Sequence, residues 1–245
     1  MASKPTIVIV PGAWQTTGVY QHFADLLKQA GYAPEIVKLP STGGTDLPLT
    51  GLTEDIAAIQ AVIKPLVEAG KEVVVVAHSA GGVSGGGAVN GLDVKTRKAA
   101  GQSGGVTKVI YLAAFLIPKG TSLLGLLGGK PLPWMVMQED RVTVNQELFP
   151  EVGFSDLPAA DAKKWTEATT HTAAALFAST SEYEPWAAGV PTAYIHTADD
   201  GALPYGLQQQ LAAQLGDAPQ VTLKANHSPF LSIPEETVKA VEKLI

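Results

Sequence analysis

The sequence predicts an α/β fold: a mostly parallel sheet of about six strands flanked by helices, with an inserted helical segment. Three observations carry this. Short, β-branched apolar runs alternate with amphipathic runs along most of the chain, the order that builds a parallel sheet covered on both faces. Glycine closes several helical runs, at Gly31, Gly70 and Gly216, because it adopts the left-handed conformation without a Cβ clash. Hydrophobic residues make up 46% of the 245 positions against 16% charged, a balance that supplies a large core and excludes a disordered chain.

The elements follow in order. The first run, Thr6–Val10, is short and ended by Pro11-Gly12, so it reads as a buried strand followed by a turn. Runs of the same kind recur at Ala33–Leu39, Glu72–Ala77, Lys108–Ala114, Thr192–Thr197 and Gln220–Leu223. Between and after them, helical patterns occupy Val19–Ala30, Thr53–Ala69, a glycine-rich stretch from Ala80, Pro204–Leu215 and Pro234–Leu244. From Pro118 to about Gly189 the alternation stops. No strand is evident there; Trp134, Phe149, Phe154, Trp165, Phe177, Tyr183 and Trp186 crowd in, and helical patterns run over Pro158–Ala168 and Thr172–Ser179. Residues 118–189 are therefore expected to form a helical lid inserted into a core made of residues 1–117 and 190–245, on loops at the functional end of the sheet.

Composition excludes several classes. The formal charge is −6 and no dense Lys/Arg run could track a phosphate backbone, so nucleic acid is not an expected partner. Without cysteine there is no disulfide, thiolate metal site or cysteine nucleophile. The apolar segment near the start, Ile7 to Val10, is too short for a signal-peptide core or a membrane span, so a cytoplasmic protein with no membrane partner is expected.

The chemistry centres on Ala77-His78-Ser79-Ala80-Gly81, which fits the nucleophile-elbow pattern G-x-S-x-G with alanine in the first glycine position. A strand that turns sharply into a helix needs small residues on both sides of the serine, and the strand Val73–Val76 precedes this one. A helix starting just after Ser79 would aim free N–H groups at the site, which makes the Ala80 N–H a candidate oxyanion donor. The loop Pro11-Gly12-Ala13-Trp14 lies where a second donor is needed. Gly12 would permit close approach, and the Ala13 N–H is the candidate.

A serine hydroxyl needs a base. Of the five histidines, His22 falls within a helix, His196 within an apolar strand, His78 beside the nucleophile and His171 in the insertion. His227, in Asn226-His227-Ser228-Pro229-Phe230, follows the last strand and opens at the same sheet edge as the elbow, so it is the expected base. The acid that orients it follows the strand Thr192–Thr197, where either Asp199 or Asp200 could serve. Asp200 is preferred, next to Gly201 and the turn into Pro204. The order serine, acid, histidine suits this architecture. The substrate pocket is expected to draw on Trp14, Trp134, Met135, Met137 and Trp186, with His78 and His171 as further candidates.

Across essentially its whole length the chain resembles the α/β-hydrolase superfamily, through PGAW, AHSAGG, VIYLAAFLIP (Val109 to Pro118), TADDGALP and NHSPFLSIPEE. It is most similar to the lid-bearing branch of small esterases that includes bacterial and fungal esterases, plant methyl-ester esterases and hydroxynitrile lyases. The resemblance places the triad acid at Asp200. It implies six parallel strands, since only Met1 to Pro5 precede Thr6 where the family carries two more. The lyases of that branch have threonine where Gly12 stands and lysine where Ser228 stands, and neither mark is present. Dehalogenases and epoxide hydrolases carry aspartate at the elbow, unlike Ser79.

The expected function is hydrolysis of a carboxylic ester or lactone of a small, largely apolar substrate through an acyl-enzyme, with no metal and no organic cofactor. A homodimer is left open. Two alternatives keep the same fold: an acyltransferase, cyclase or C–C hydrolase using the same triad, and a non-catalytic receptor for a small ligand.

Overall fold

The computed structural model describes residues 4–245; residues 1–3, which the sequence reading counts with the core, lie outside the described residues. Six strands form one parallel sheet: β1 (Thr6–Val10), β2 (Ala33–Ile36), β3 (Glu72–His78), β4 (Gly105–Leu112), β8 (Thr192–Thr197) and β9 (Gln220–Leu223), in the spatial order β2-β1-β3-β4-β8-β9. Residues alternate between two cores, as the period of two in a strand requires. Val73 and Val75 face one side with Val8, Val10, Val109 and Tyr111, against α2 (Leu52–Glu68) and α3 (Gly81–Ala88). Val74 and Val76 face the other with Ile7, Ile9, Ile110 and Ile195, against α1 (Gln21–Gln29) and α11 (Pro234–Leu244). The glycine-rich stretch forms α3, and its close approach to neighbouring backbones is what requires the glycines. A Cβ at Gly81 would sit 2.3 Å from the Pro11 carbonyl oxygen, and one at Gly82 would sit 2.4 Å from that of Phe115.

The chain runs from β1 outward to β2 and then back across to β3, so the strand order reverses between β1 and β3. That reversal opens a crevice beyond their carboxyl ends, where ligands bind in open α/β sheets. Gly12–Trp14 leave one of those ends and Ser79 leaves the other.

Two expectations change. Helix α4 (Val94–Ala99) was not expected; it is started by Asp93, whose Oδ1 accepts the Thr96 N–H at 2.9 Å. The insertion is not purely helical. It holds α5 (Leu123–Leu126), α6 (Phe149–Phe154), α7 (Ala159–Glu167) and α8 (Ala174–Ala178), but also an antiparallel sheet of β5 (Met135–Met137), β6 (Arg141–Val144) and β7 (Thr172–Ala173). The stretch Thr172–Ser179 splits into β7 and α8 because Thr172 and Ala173 pair with Val142 and Arg141. Helices α9 (Tyr205–Ala212) and α10 (Pro229–Ser232) complete the fold, and among the described residues no helix is long and apolar enough to cross a membrane.

Candidate active site

Ser79 stands where β3 ends, with φ of 52°, a left-handed conformation uncommon for a residue with a Cβ. The sheet holds that turn. The Ser79 N–H donates to the Leu112 carbonyl at 3.2 Å, and the Ser79 carbonyl accepts from Phe115 N–H and Gly82 N–H, each at 3.0 Å. Alanine at position 77 meets the packing demand of the turn, since its methyl lies 3.0 Å from where a Cβ on Gly85 would be.

His227 Nε2 lies 2.9 Å from Ser79 Oγ and its Nδ1 lies 2.8 Å from Asp200 Oδ2. The carboxylate is fully buried but well solvated by protein: Oδ1 accepts the N–H groups of Ala202 (2.8 Å) and Leu203 (2.7 Å), and Oδ2 accepts from Thr197 Oγ1 (2.7 Å) and Gln208 Nε2 (3.1 Å). These donors fix the carboxylate and aim Oδ2 at the imidazole. Its neighbour Asp199 is exposed. Asn226 steadies the base from the other side, with Oδ1 accepting the N–H of His227 at 2.7 Å and of Gly201 at 3.0 Å.

The loop after β1 lies hard against the serine. A Cβ at Gly12 would come within 2.8 Å of Ser79 Cβ and 2.9 Å of His78 Nδ1. The Gly12 N–H donates to Tyr20 Oη at 2.9 Å and the Trp14 N–H to Thr172 Oγ1 at 2.7 Å. Among the described residues, the N–H groups of Ala13 and Ala80 have no protein acceptor. Two free donors thus remain beside Ser79, one from each loop.

His78 does not line the cavity. It is buried beneath the site, with Nε2 2.9 Å from the His227 carbonyl and Nδ1 2.8 Å from Tyr20 Oη. A carbonyl only accepts, so Nε2 carries the proton, while Nδ1 faces the tyrosine hydroxyl, which also bonds Gln15 Oε1. Burial holds its pKa well below the ordinary value, with nearby His227 adding to the shift and the bond to the His227 carbonyl opposing it. His78 is therefore a neutral strut, and Phe230 packs edge-on against it with ring centroids 5.0 Å apart.

Above Ser79 is a narrow, largely apolar cavity of about 20 Å³ lined by Trp14, Ala80, Phe115, Leu123, Leu127, Leu132, Trp134, Met135, Phe177 and Ala202, with Ser79 and His227 at its polar end. Of the pocket residues expected from the sequence, Trp14, Trp134 and Met135 line this cavity. Met137 is 37% exposed at the far end of β5. His171 faces away, with Nε2 2.9 Å from the Gly44 carbonyl, and Trp186 packs edge-on against Tyr111. Of the residues missed, Phe115 had a signal, since it follows β4 at the same sheet edge; the leucines of a glycine-rich stretch had none. A wider open groove beside α6 and α7, lined by Pro150, Phe154, Leu157 and Ala162, touches none of these groups. Among the described residues, no group of three or more His, Cys, Asp or Glu could hold a metal ion.

A parallel sheet with a serine on a strained turn after its third strand, and an acid and a histidine on the loops after its last two, defines the α/β-hydrolase class. The family model described as "Alpha/beta hydrolase family" matches residues 7–240, and the chain belongs to that family. Among curated proteins it is 29% identical to the alpha/beta hydrolase nvfD of Aspergillus novofumigatus, over 97% of this chain and 95% of the relative. Among solved structures it is similar to a pyrethroid hydrolase from Sphingobium faniae, with a TM-score of 0.75 and 22% identity over 98% of this chain and 96% of that one. Polyneuridine aldehyde esterase aligns with a TM-score of 0.78 and 17% identity, over 98% of each chain.

Proposed function

We propose that this protein hydrolyses a carboxylic ester or lactone of a small, largely apolar compound through a covalent acyl-enzyme. The observation that carries the reading is the continuous chain from Asp200 Oδ2 through the His227 ring to Ser79 Oγ, ending at the cavity. His227 Nε2 takes the serine proton as Oγ bonds to the substrate carbonyl carbon, and Asp200 stabilises the imidazolium that results. The carbonyl oxygen becomes an oxyanion facing the free N–H groups of Ala13 and Ala80, each such donor lowering the barrier by about 3–4 kcal/mol. The C–O bond to the leaving alcohol then breaks, and that alcohol takes the proton from His227. Water, deprotonated by His227, attacks the acyl-enzyme, and Ser79 leaves with its proton restored.

The cavity supports the substrate class. Its walls bear no charge, so burying a carboxylate or ammonium there would cost far more than its packing returns. Leu123, Leu127 and Leu132 from the insertion complete the cavity, in keeping with a lid role for that stretch.

A panel of p-nitrophenyl esters of graded chain length, with a few lactones, tests the reading. Turnover should favour neutral acyl groups and fall sharply for an acyl chain ending in a carboxylate. A wild-type chain that hydrolyses nothing in the panel, or prefers the charged acyl group, contradicts it.

A further inference from the structure

The insertion does more than cover the cavity: its residues hold Trp14, the residue that follows the Ala13 donor. Trp14 has φ of 65°, a conformation a tryptophan does not adopt unaided. All three of its polar groups bond to the insertion. Its N–H donates to Thr172 Oγ1 at 2.7 Å, its carbonyl accepts the Thr170 N–H at 3.0 Å, and its indole N–H donates to the Val142 carbonyl at 2.9 Å. Only the first of these uses a side chain of the insertion, so only there does residue identity matter.

Building on the proposed function, we infer that Thr172 is a positioning residue for the oxyanion site: its hydroxyl takes the Trp14 N–H, which fixes the Ala13–Trp14 peptide and so holds in place the adjoining Gly12–Ala13 peptide, whose Ala13 N–H is aimed at the reacting carbonyl oxygen. The hydroxyl is itself fixed from two sides. Thr172 is fully buried and pairs with Val142 in the small sheet, and its Oγ1 lies 3.4 Å from Thr42 Oγ1. The next residue, Ala173, donates its N–H to the Ser41 carbonyl at 2.8 Å, and the preceding one, His171, accepts the Gly43 N–H at 2.9 Å. The loop after β2 and the small sheet therefore grip Thr172 between them, and the insertion cannot swing away as one body without releasing Trp14.

The contrast between Thr172→Val, which keeps the shape and loses the acceptor, and Thr172→Ser, which keeps the acceptor and loses a methyl, tests this on the full chain with p-nitrophenyl butyrate. A misaimed donor weakens transition-state binding and leaves ground-state binding alone, so Thr172→Val should lower kcat about tenfold with KM changed less than about twofold. Inhibition by a butyl trifluoromethyl ketone, which forms a tetrahedral adduct, should weaken in parallel, and Thr172→Ser should restore both. If Thr172→Val does not fold, Thr172→Ala against Thr172→Ser makes the same contrast, since only the serine keeps the oxygen. Equal losses in the variants with and without the oxygen, a rise in KM at constant kcat, or no loss at all overturns the inference and leaves the proposed function standing. A wild-type chain that turns over no ester or lactone overturns both.

Discussion

The two loops that meet at Ser79 are held by different parts of the molecule. The elbow is clamped by the parallel sheet: Leu112 and Phe115 bond its backbone, and the glycines of α3 let the helix lie against the neighbouring loops. The loop carrying Gly12, Ala13 and Trp14 leaves the same sheet, but its far end is anchored by Val142, Thr170 and Thr172 of the insertion. An aromatic cluster strengthens that anchor, with Trp14 stacked on Phe177 at 5.5 Å and edge-on to Trp134 at 5.2 Å. The difference divides the chemistry. On the proposed mechanism, the nucleophile and its orientation belong to the parallel sheet, whereas one of the two oxyanion donors depends on residues of the 118–189 stretch. Asn226 joins the two systems, since its N–H donates to Asp156 Oδ2 at 2.8 Å while its own Oδ1 holds His227.

Breaking the core half should have the larger effect. Asp200→Asn leaves the imidazole with the wrong tautomer partner and should lower kcat by about 10⁴, the size seen when the triad carboxylate becomes an amide. Asp199→Asn, one residue away and exposed, should leave kcat within about twofold, as surface changes usually do. Steady-state kinetics of the two variants side by side checks the contrast, and a reversal would move the acid by one residue.

Wedging the two loops apart should come next. Gly12→Ala puts a methyl 2.8 Å from Ser79 Cβ, and neither atom sits on a flexible side chain that could give way. The loop must retreat, carrying the Ala13 donor with it, and kcat/KM should fall about 10²-fold, as on loss of one oxyanion donor. The same substitution should leave the rate of fluorophosphonate labelling less affected than kcat if the elbow keeps its own geometry; equal losses would show that the loops are not separable.

The smallest effect concerns the far end of the insertion's anchor. Asp55 in α2 is fully buried and accepts the Ser41 N–H at 2.9 Å and the Ser41 hydroxyl at 2.6 Å, which steadies the loop that grips Thr172. Burial raises its pKa from 3.8 to about 6, with the two Ser41 bonds opposing and Glu54 adding to the rise. The folded state therefore binds this proton more tightly than the unfolded chain. Its stabilising effect is complete below about pH 3.8 and is lost as pH rises to about 6, a change of about 2–3 kcal/mol. Asp55→Asn should flatten that part of the stability profile in urea melts from pH 4 to pH 7. An unchanged slope would place the titration elsewhere.

Much of the core was legible because its signals are local. The four inner strands are apolar runs of their own, the half-exposed edge strands β2 and β9 keep their place in the alternation, and Ser79, Asp200 and His227 each follow a strand, so strand order alone brings them to one edge. The small residues on both sides of Ser79 marked the sharp turn. The insertion was less legible for two physical reasons. Its strands are two to four residues long, so β5, β6 and β7 show little period of their own, although Arg141-Val142-Thr143-Val144 does alternate, with both valines buried. The residues that tie it down act over long separations: Thr172 meets Trp14 158 positions away, and His78 meets the His227 carbonyl 149 positions away. A single threonine, tyrosine or asparagine carries no local mark of such a partner. The same lack of depth information put Met137, His171 and Trp186 in the pocket, where the fold turns each of them elsewhere.

The central claim is that Ser79, poised by His227, forms a covalent intermediate at the floor of the apolar cavity. Intact-mass and peptide-mapping analysis after brief treatment with a fluorophosphonate tests it most directly. The account predicts one adduct per chain, on the peptide containing Ser79, absent from Ser79→Ala and formed far more slowly in His227→Ala. An unmodified wild-type chain, or an adduct that persists in Ser79→Ala, would contradict it.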